Sequence, residues 1–525
     1  MVQRGPDSTL LPRAARSMVW NATLLPLISV FNLASSVLIR NYFGLASGLY
    51  DALIGVVNTL ILWPGLGIPV AFTQFIPELE RRDDRRCLWA FICRAGATRF
   101  LLLVLFLIPV NVNAVAVGEL FHLGEHGATL VHLASALALL RSGHELALKT
   151  LQALLSHLAA NAIQLAQAVL AMAALAVTLS AGLGMPQLMV ALIVASALLL
   201  VIAVSVVRWR VAQIGSSGQP TAASSRQSGE IVTGISNRRF AGFSLFMYAH
   251  DTMNYFASPA FASLAIAALY DTPGPVALFA AGLQFPMLVV IVVLAGFQGL
   301  YRPLFARLIT DSDRPRLRAA FSEVSKVQVA LLLPAGTGLV IIVGDLMPLL
   351  YGDAFTDAVP LARVLCVFLF GEAMFNLGTI VLSVDHQYRS VMLAQAMRLL
   401  GAPLFVWLAA RGDLQLAAVA FGLSRLAATL FGYAVAQRRF GVRFPFRFAF
   451  RAAMPSLAMV AVVTAARSLW STSWIEVIVL TTLGVAVVAI GMRQFRVLGP
   501  RELDLIDRAQ LPGRSTIISW LKPRA

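Results

Sequence analysis

The chain has 525 residues, of which 59% are apolar and 13% charged; its mean hydropathy is +0.80 and its formal net charge +16. A water-soluble body cannot bury that much apolar surface, so a soluble enzyme is excluded and the solvent for most of the chain is lipid. In a membrane protein the basic excess points to loops facing anionic lipid, not to nucleic acid.

A spanning helix needs about 20 mostly apolar residues. In chain order, such windows fall near 19–39, 48–74, 98–117, 127–149, 155–180 and 186–207, then 240–268, 274–300, 326–343, 358–383, 390–409, 414–436, 452–470 and 474–492. The expectation is an all-α polytopic membrane protein of about 14 transmembrane helices. Residues 1–17 are basic and the first apolar run is full length, which predicts no cleavable signal peptide. Alternate connections differ sharply in charge. One set carries 31 Lys and Arg residues; the other carries two, Arg40 and Arg411. By the positive-inside rule both termini are expected to be cytoplasmic.

Residues 209–239 interrupt the apolar pattern with Gly215-Ser216-Ser217-Gly218-Gln219-Pro220 and Ser224-Ser225-Arg226-Gln227-Ser228-Gly229, which read as a flexible cytoplasmic linker. The flanking regions resemble each other at an offset of 226. Gly48 and Pro77 lie 29 positions apart, as do Gly274 and Pro303, and Asn58 and Arg81 meet Gln284 and Arg307. An even number of spans separates the copies, so both point the same way. This predicts two six-helix lobes, 1–208 and 240–437, in parallel pseudo-twofold repeat. Two extra helices (438–492) and a cytoplasmic tail (493–525) complete the expected organisation.

Signals for enzyme chemistry are absent from the sequence. None of the lysines, Lys149, Lys326 and Lys522, follows a glycine, which excludes a P-loop. His144-Glu145 begins like a metalloprotease helix, but Leu148 stands where the second histidine belongs. Glu119, His122, Glu125 and His126 cluster in one connection and read as a polar interfacial loop before a metal site. Cys87, Cys93 and Cys366 are scattered, giving neither a disulfide framework nor a metal site. The expectation is a non-enzyme without metal or organic cofactor.

Several short motifs occur in a telling order: Arg40-Asn41-Tyr42-Phe43-Gly44, Gly48-Leu49-Tyr50, Gly65-Leu66-Gly67 and Gln74-Phe75-Ile76-Pro77-Glu78, then Leu349-Leu350-Tyr351-Gly352 with Phe355 and Ala358, then Arg411-Gly412-Asp413-Leu414-Gln415-Leu416-Ala417-Ala418. Together they resemble the polysaccharide and lipid-linked oligosaccharide flippases of the multidrug/oligosaccharidyl-lipid/polysaccharide (MOP) exporter superfamily, over nearly the whole chain. One glycine of the last motif is replaced. The resemblance implies alternating access between two lobes. It also implies a polyprenyl-pyrophosphate-linked oligosaccharide turned from the cytoplasmic to the periplasmic leaflet of a bacterial inner membrane. Such a substrate serves surface or extracellular polymers such as O-antigen, lipopolysaccharide or exopolysaccharide. The implied partners are that substrate, membrane lipids, and polymerase and export proteins.

Polar sugars cross about 30 Å of hydrocarbon only through a polar cavity. Candidate cavity residues are Asn32 on the first helix, with Asn21, Ser29, Ser35 and Ser36, and Asn58 and Thr59 on the second. Ser244, Tyr248, Asp251, Tyr255 and Ser258 step by four, three, four and three along one face of the seventh helix, beside Asn254. Gln284 and Gln298 lie on the eighth. Interhelical hydrogen bonding is the competing role for such residues. Arg94 and Arg99 are expected to snorkel to the surface, and Arg141, Glu145 and Lys149 to form an i,i+4 ion-pair ladder. Asp251, Glu372, Arg398 and Arg425 lie deep in the second half. Asp251 is expected to pair with Arg425, or with Arg398, either as a permanent salt bridge between helices or as a site that exchanges that partner for a coupling proton or sodium ion. A cation-coupled drug exporter of the same superfamily is the alternative. A membrane glycosyltransferase or polymerase is disfavoured, because the expected periplasmic connections are too short for a catalytic domain.

Overall fold

The computed structural model describes residues 10–80, 85–214, 237–467, 473–495 and 497. The linker expected at 209–239 and the tail expected at 493–525 lie largely outside these residues. Every regular element among them is helical: α1 (Leu10–Phe43), α2 (Gly48–Leu62), α3 (Ile68–Glu80), α4 (Arg85–Val112), α5 (Ala114–Leu120), α6 (Gly127–Ala153), α7 (His157–Ser180), α8 (Met185–Gln213), α9 (Asn237–Tyr255), α10 (Pro259–Leu269), α11 (Gly274–Thr310), α12 (Arg314–Tyr351), α13 (Ala358–Phe375), α14 (Leu377–Val384), α15 (Tyr388–Ala410), α16 (Leu414–Phe440), α17 (Phe446–Arg467) and α18 (Trp474–Gln494).

Eleven of the described spans are long and apolar enough to cross a membrane, or twelve if the bent pair α9 and α10 counts as one. The sequence windows number fourteen, a count the helices do not reproduce. The tallies part at two places. The windows at 19–39 and 48–74 fall in one continuous helical run, Thr23–Gly65. The window at 127–149 corresponds to α6, which carries Arg141, Glu145 and Lys149 and is absent from the eleven. On α8, Val190, Val194, Leu198 and Val201 are exposed at helical spacing. Such a stripe is a liability in water and the ordinary outer face of a helix in lipid.

The chain divides into two compact units. One comprises residues 49–272; the other comprises 1–48 together with 273–525. The 49–272 unit is built on a core of Phe72, Phe75, Ile76, Leu88, Leu151 and Ala203, joining α3, α4, α6 and α8. The other unit has one core around Phe305, Phe321, Val381 and Tyr433 and another around Ala277, Phe285, Val343 and Phe355, with α1 packed on α11.

Local sequence explains where helices break. The two repeat copies both begin a helix at a glycine, Gly48 for α2 and Gly274 for α11. The first copy then breaks at Trp63-Pro64-Gly65, and Leu66 and Gly67 adopt left-handed backbone (φ 44° and 68°) before α3 starts. The second has Val290-Ile291-Val292-Val293 at those positions, with no glycine or proline, and α11 runs on unbroken. The seventh span bends by 52° between α9 and α10. Pro259 cannot donate to the preceding turn, and the Ser258 hydroxyl accepts the Phe261 N–H at 3.2 Å as an N-cap.

Helix α17 is tied to α12 by Arg467 Nη2 on Asp345 Oδ1, 2.5 Å apart, with Asp345 buried. Removing the cation strands a buried carboxylate. Arg467→Gln should therefore cost about 3 kcal/mol, near the low end for a buried pair because Arg467 is a third exposed. The double change Arg467→Gln with Asp345→Asn should recover most of the loss in melting temperature. A double variant no more stable than the single would contradict this account.

Candidate functional site

A cavity of about 420 Å³ opens within the 49–272 unit. Its wall takes Asn58 from the end of α2, Gly65 and Gly67 from the turn before α3, Arg99 from α4, Arg141, His144 and Glu145 from α6, Gln167 from α7, and Tyr248 and Asp251 from α9. Amides, a phenol, guanidinium groups and carboxylates thus converge in a body whose outer face is apolar.

Gly67 makes the approach of α9 possible. A methyl group there would stand 2.2 Å from the Ser244 carbonyl oxygen and 2.8 Å from the Tyr248 nitrogen. The α9 backbone lies directly against the turn, and this brings Tyr248 and Asp251 to the cavity.

Contrary to the expectation from sequence, Arg99 does not snorkel. It is 3% exposed, and its Nη2 donates to Glu145 Oε2 at 2.6 Å. The neighbouring helix supplies the counter-charge at membrane depth, which removes the need to reach the surface. Helices α4 and α6 also meet where the His132 ring bonds Asn111 Oδ1 at 2.6 Å. Glu145 therefore bonds across to α4, where a ladder along α6 was expected. Arg94 is exposed and lines a second, largely apolar cavity of about 440 Å³ with Phe91, Thr98, Phe240 and Ser244.

The polar stripe expected along the seventh span is divided among several tasks. Ser244 faces the apolar cavity, whereas Tyr248 and Asp251 face the polar one. The Tyr255 hydroxyl bonds Thr59 at 2.6 Å, joining α9 to α2. Ser258 caps α10. Asn254 is half-buried on α9 and is absent from both cavity walls. Asp251 Oδ1 bonds His250 Nδ1 at 3.0 Å.

The remaining candidates lie in the unit of residues 1–48 and 273–525. Asn32 is exposed on α1. One turn on, the Ser36 hydroxyl donates to Gln284 Oε1 at 2.5 Å and accepts from Arg40 Nη1 at 2.6 Å. The Tyr351 hydroxyl donates to the same Gln284 oxygen at 3.0 Å, and the Arg40 guanidinium sits 5.1 Å from the Tyr351 ring centre. Gln284 is thus the hub of a buried polar cluster binding α1, α11 and α12. The Tyr-Gly motif supplies the aromatic face against Arg40.

Arg425, expected opposite Asp251, bonds Glu372 instead. Its Nε lies 2.7 Å from Glu372 Oε2, and Arg398 Nη2 lies 2.7 Å from Glu372 Oε1. All three side chains are largely buried. Small residues let α13, α15 and α16 close around them. A methyl at Gly401 would meet Ser424 Cβ at 2.2 Å, and one at Gly422 would meet Phe368 Cβ at 2.5 Å. Sequence distance hid this triad. Glu372 is 26 and 53 residues from its partners, and nothing local marks the pairing.

Among the described residues no three His, Cys, Asp or Glu side chains come together as a metal cluster; His122 lies 3.6 Å from Asp271.

The fold is similar to those of solved flippase and MATE transporter structures. The chain is similar to the lipid II flippase MurJ in its inward closed conformation: TM-score 0.69, 11% identity, covering 91% of this chain and 98% of that one. It is also similar to a Vibrio cholerae MATE transporter (TM-score 0.57, 15% identity, 81% of this chain and 97% of that one). A MOP superfamily transporter from Pyrococcus furiosus aligns with TM-score 0.55 and 13% identity over 82% of this chain and 96% of that one. No family model matches the sequence, and no curated protein does.

Proposed function

We propose that this protein is a transporter that flips a polyprenyl-pyrophosphate-linked oligosaccharide from the cytoplasmic to the periplasmic leaflet by alternating access. The observation that carries this reading is the cavity of the 49–272 unit, where Asn58, Gln167 and Tyr248 offer sugar-binding groups beside Arg99 and Arg141. Moving a sugar head group through hydrocarbon costs several kcal/mol for each polar group left unbonded, and such a wall replaces the lost water. The lipid tail stays in the bilayer. In this reading the membrane is the bacterial inner membrane and both termini are cytoplasmic, in keeping with the 31-to-2 division of Lys and Arg.

The wall matches its two guanidinium groups with the carboxylates of Glu145 and Asp251, so transport, not wall charge, separates this reading from a cationic-drug exporter. The test is reconstitution into vesicles with a fluorescent lipid-linked oligosaccharide in both leaflets. Protein-containing vesicles should lose protection of the inner-leaflet label against an external quencher far faster than protein-free ones. Unchanged label protection, together with efflux of a cationic dye, would favour the drug exporter.

A further inference from the structure

Arg99 is 3% exposed, yet its Nε and Nη1 have no hydrogen-bond partner among the described residues. The same holds for Nε of Arg141 and Nε2 of the buried His144, and all three side chains line the one cavity. A buried polar nitrogen left unbonded is costly, and here several gather on one wall. A guanidinium offers five donors in a fixed fork. Glu145 engages Arg99 through a single short contact, Nη2 to Oε2, leaving the rest of the fork open. Glu145 itself is 41% exposed on its side chain, so turning away from Arg99 returns it to water at little cost.

The geometry points to a pyrophosphate-binding site at Arg99, Arg141 and His144, in which Glu145 is a resident anion that the incoming ligand displaces. This rests on the reading of the substrate as a pyrophosphate-linked lipid and names the residues that receive its charged group. In the empty state Glu145 balances Arg99 inside a low-dielectric wall. A pyrophosphate carries more acceptor oxygens than a carboxylate and can satisfy the donors Glu145 leaves open. The exchange keeps Arg99 compensated throughout, so neither loading nor release exposes a bare buried charge.

The experiment measures binding of inorganic pyrophosphate and of farnesyl pyrophosphate to the purified full chain in detergent, by calorimetry and by ligand-induced change in melting temperature. Arg99→Gln and Arg141→Gln should each weaken both probes about tenfold or more, the effect of losing a hydrogen bond to a charged group. Arg99→Lys, which keeps the charge, should restore part of the loss. Glu145→Gln should act in the opposite direction: a lower melting temperature without ligand, and binding tightened roughly threefold or more because the internal competitor is gone. A structural strut cannot produce that reversal. If Glu145→Gln weakens binding or leaves it unchanged, or if Arg141→Gln has no effect, the site is overturned, even should Arg99→Gln fail to fold. The two readings fail separately. Equal affinity for both probes, with the mutant pattern intact, keeps the anion site but removes the lipid-linked substrate. Flipping in vesicles that survives Arg99→Gln and Arg141→Gln keeps the flippase and removes the site.

Discussion

Replacing Glu372 with glutamine should destabilise the unit that holds α11–α18 by about 3–5 kcal/mol, the range for stripping one partner from a buried ion pair. The carboxylate uses both oxygens, one on Arg398 and one on Arg425, each at 2.7 Å. With glutamine there, two buried guanidinium groups remain on adjacent helices with no anion between them. Arg425→Gln should cost much less. It leaves Glu372 in a one-to-one pair with Arg398 and removes the surplus positive charge of the triad. Thermal melting of the purified variants gives the ordering directly. If Arg425→Gln proves as damaging as Glu372→Gln, the carboxylate is not the hub. Replacing all three with methionine should restore stability close to the parent value, since apolar side chains of similar volume often substitute for a buried ionic group without loss.

Gly67→Ala is expected to cost about 2–5 kcal/mol, combining left-handed strain with overpacking. The φ of +68° disfavours any L side chain, and the new methyl would sit 2.2 Å from a carbonyl oxygen in the α9 backbone. A side-chain clash can relax by rotation, whereas this one requires the whole of α9 to retreat. Tyr248 and Asp251 would move with it, so flipping in vesicles should fall together with melting temperature. Gly65→Ala, two residues away and with nothing within 4 Å of the added methyl, is the control and should be mild. Equal losses at both positions would show that the close approach is not what holds the cavity wall.

The helices themselves were legible as apolar runs. The bend at Ser258-Pro259 and the break at Pro64, Gly65 and Gly67 have local causes, yet the expected windows at 240–268 and 48–74 run straight through both. What escaped was pairing across space. Arg99 looked like a surface-seeking arginine because its counter-ion lies 46 residues on, on another helix. Asp251 and Arg425 sat at similar depth in their helices, but depth does not fix which helices adjoin, and Arg425 found Glu372. Thr59 and Tyr255 were both read as cavity groups; they satisfy each other. A polar residue in a membrane helix needs a partner, and the sequence does not say whether that partner is substrate or protein. The lobes expected at 1–208 and 240–437 were drawn from the repeat, whereas the compact units part at 48/49 and 272/273.

That partition sets a schedule for biosynthesis. The first helix belongs with residues 273 onward, yet the whole of the other unit, Leu49–Thr272, is made in between. At roughly 5–20 residues per second, the ribosome needs on the order of 10–45 s to cross that interval. Throughout it α1, carrying Arg40, lacks Gln284 and Tyr351, the residues that enclose the Ser36–Arg40 pair in the finished protein. Insertion of this chain thus includes a waiting period for its first-made helix, and a helper that shelters α1 until α11 and α12 arrive would act in that window.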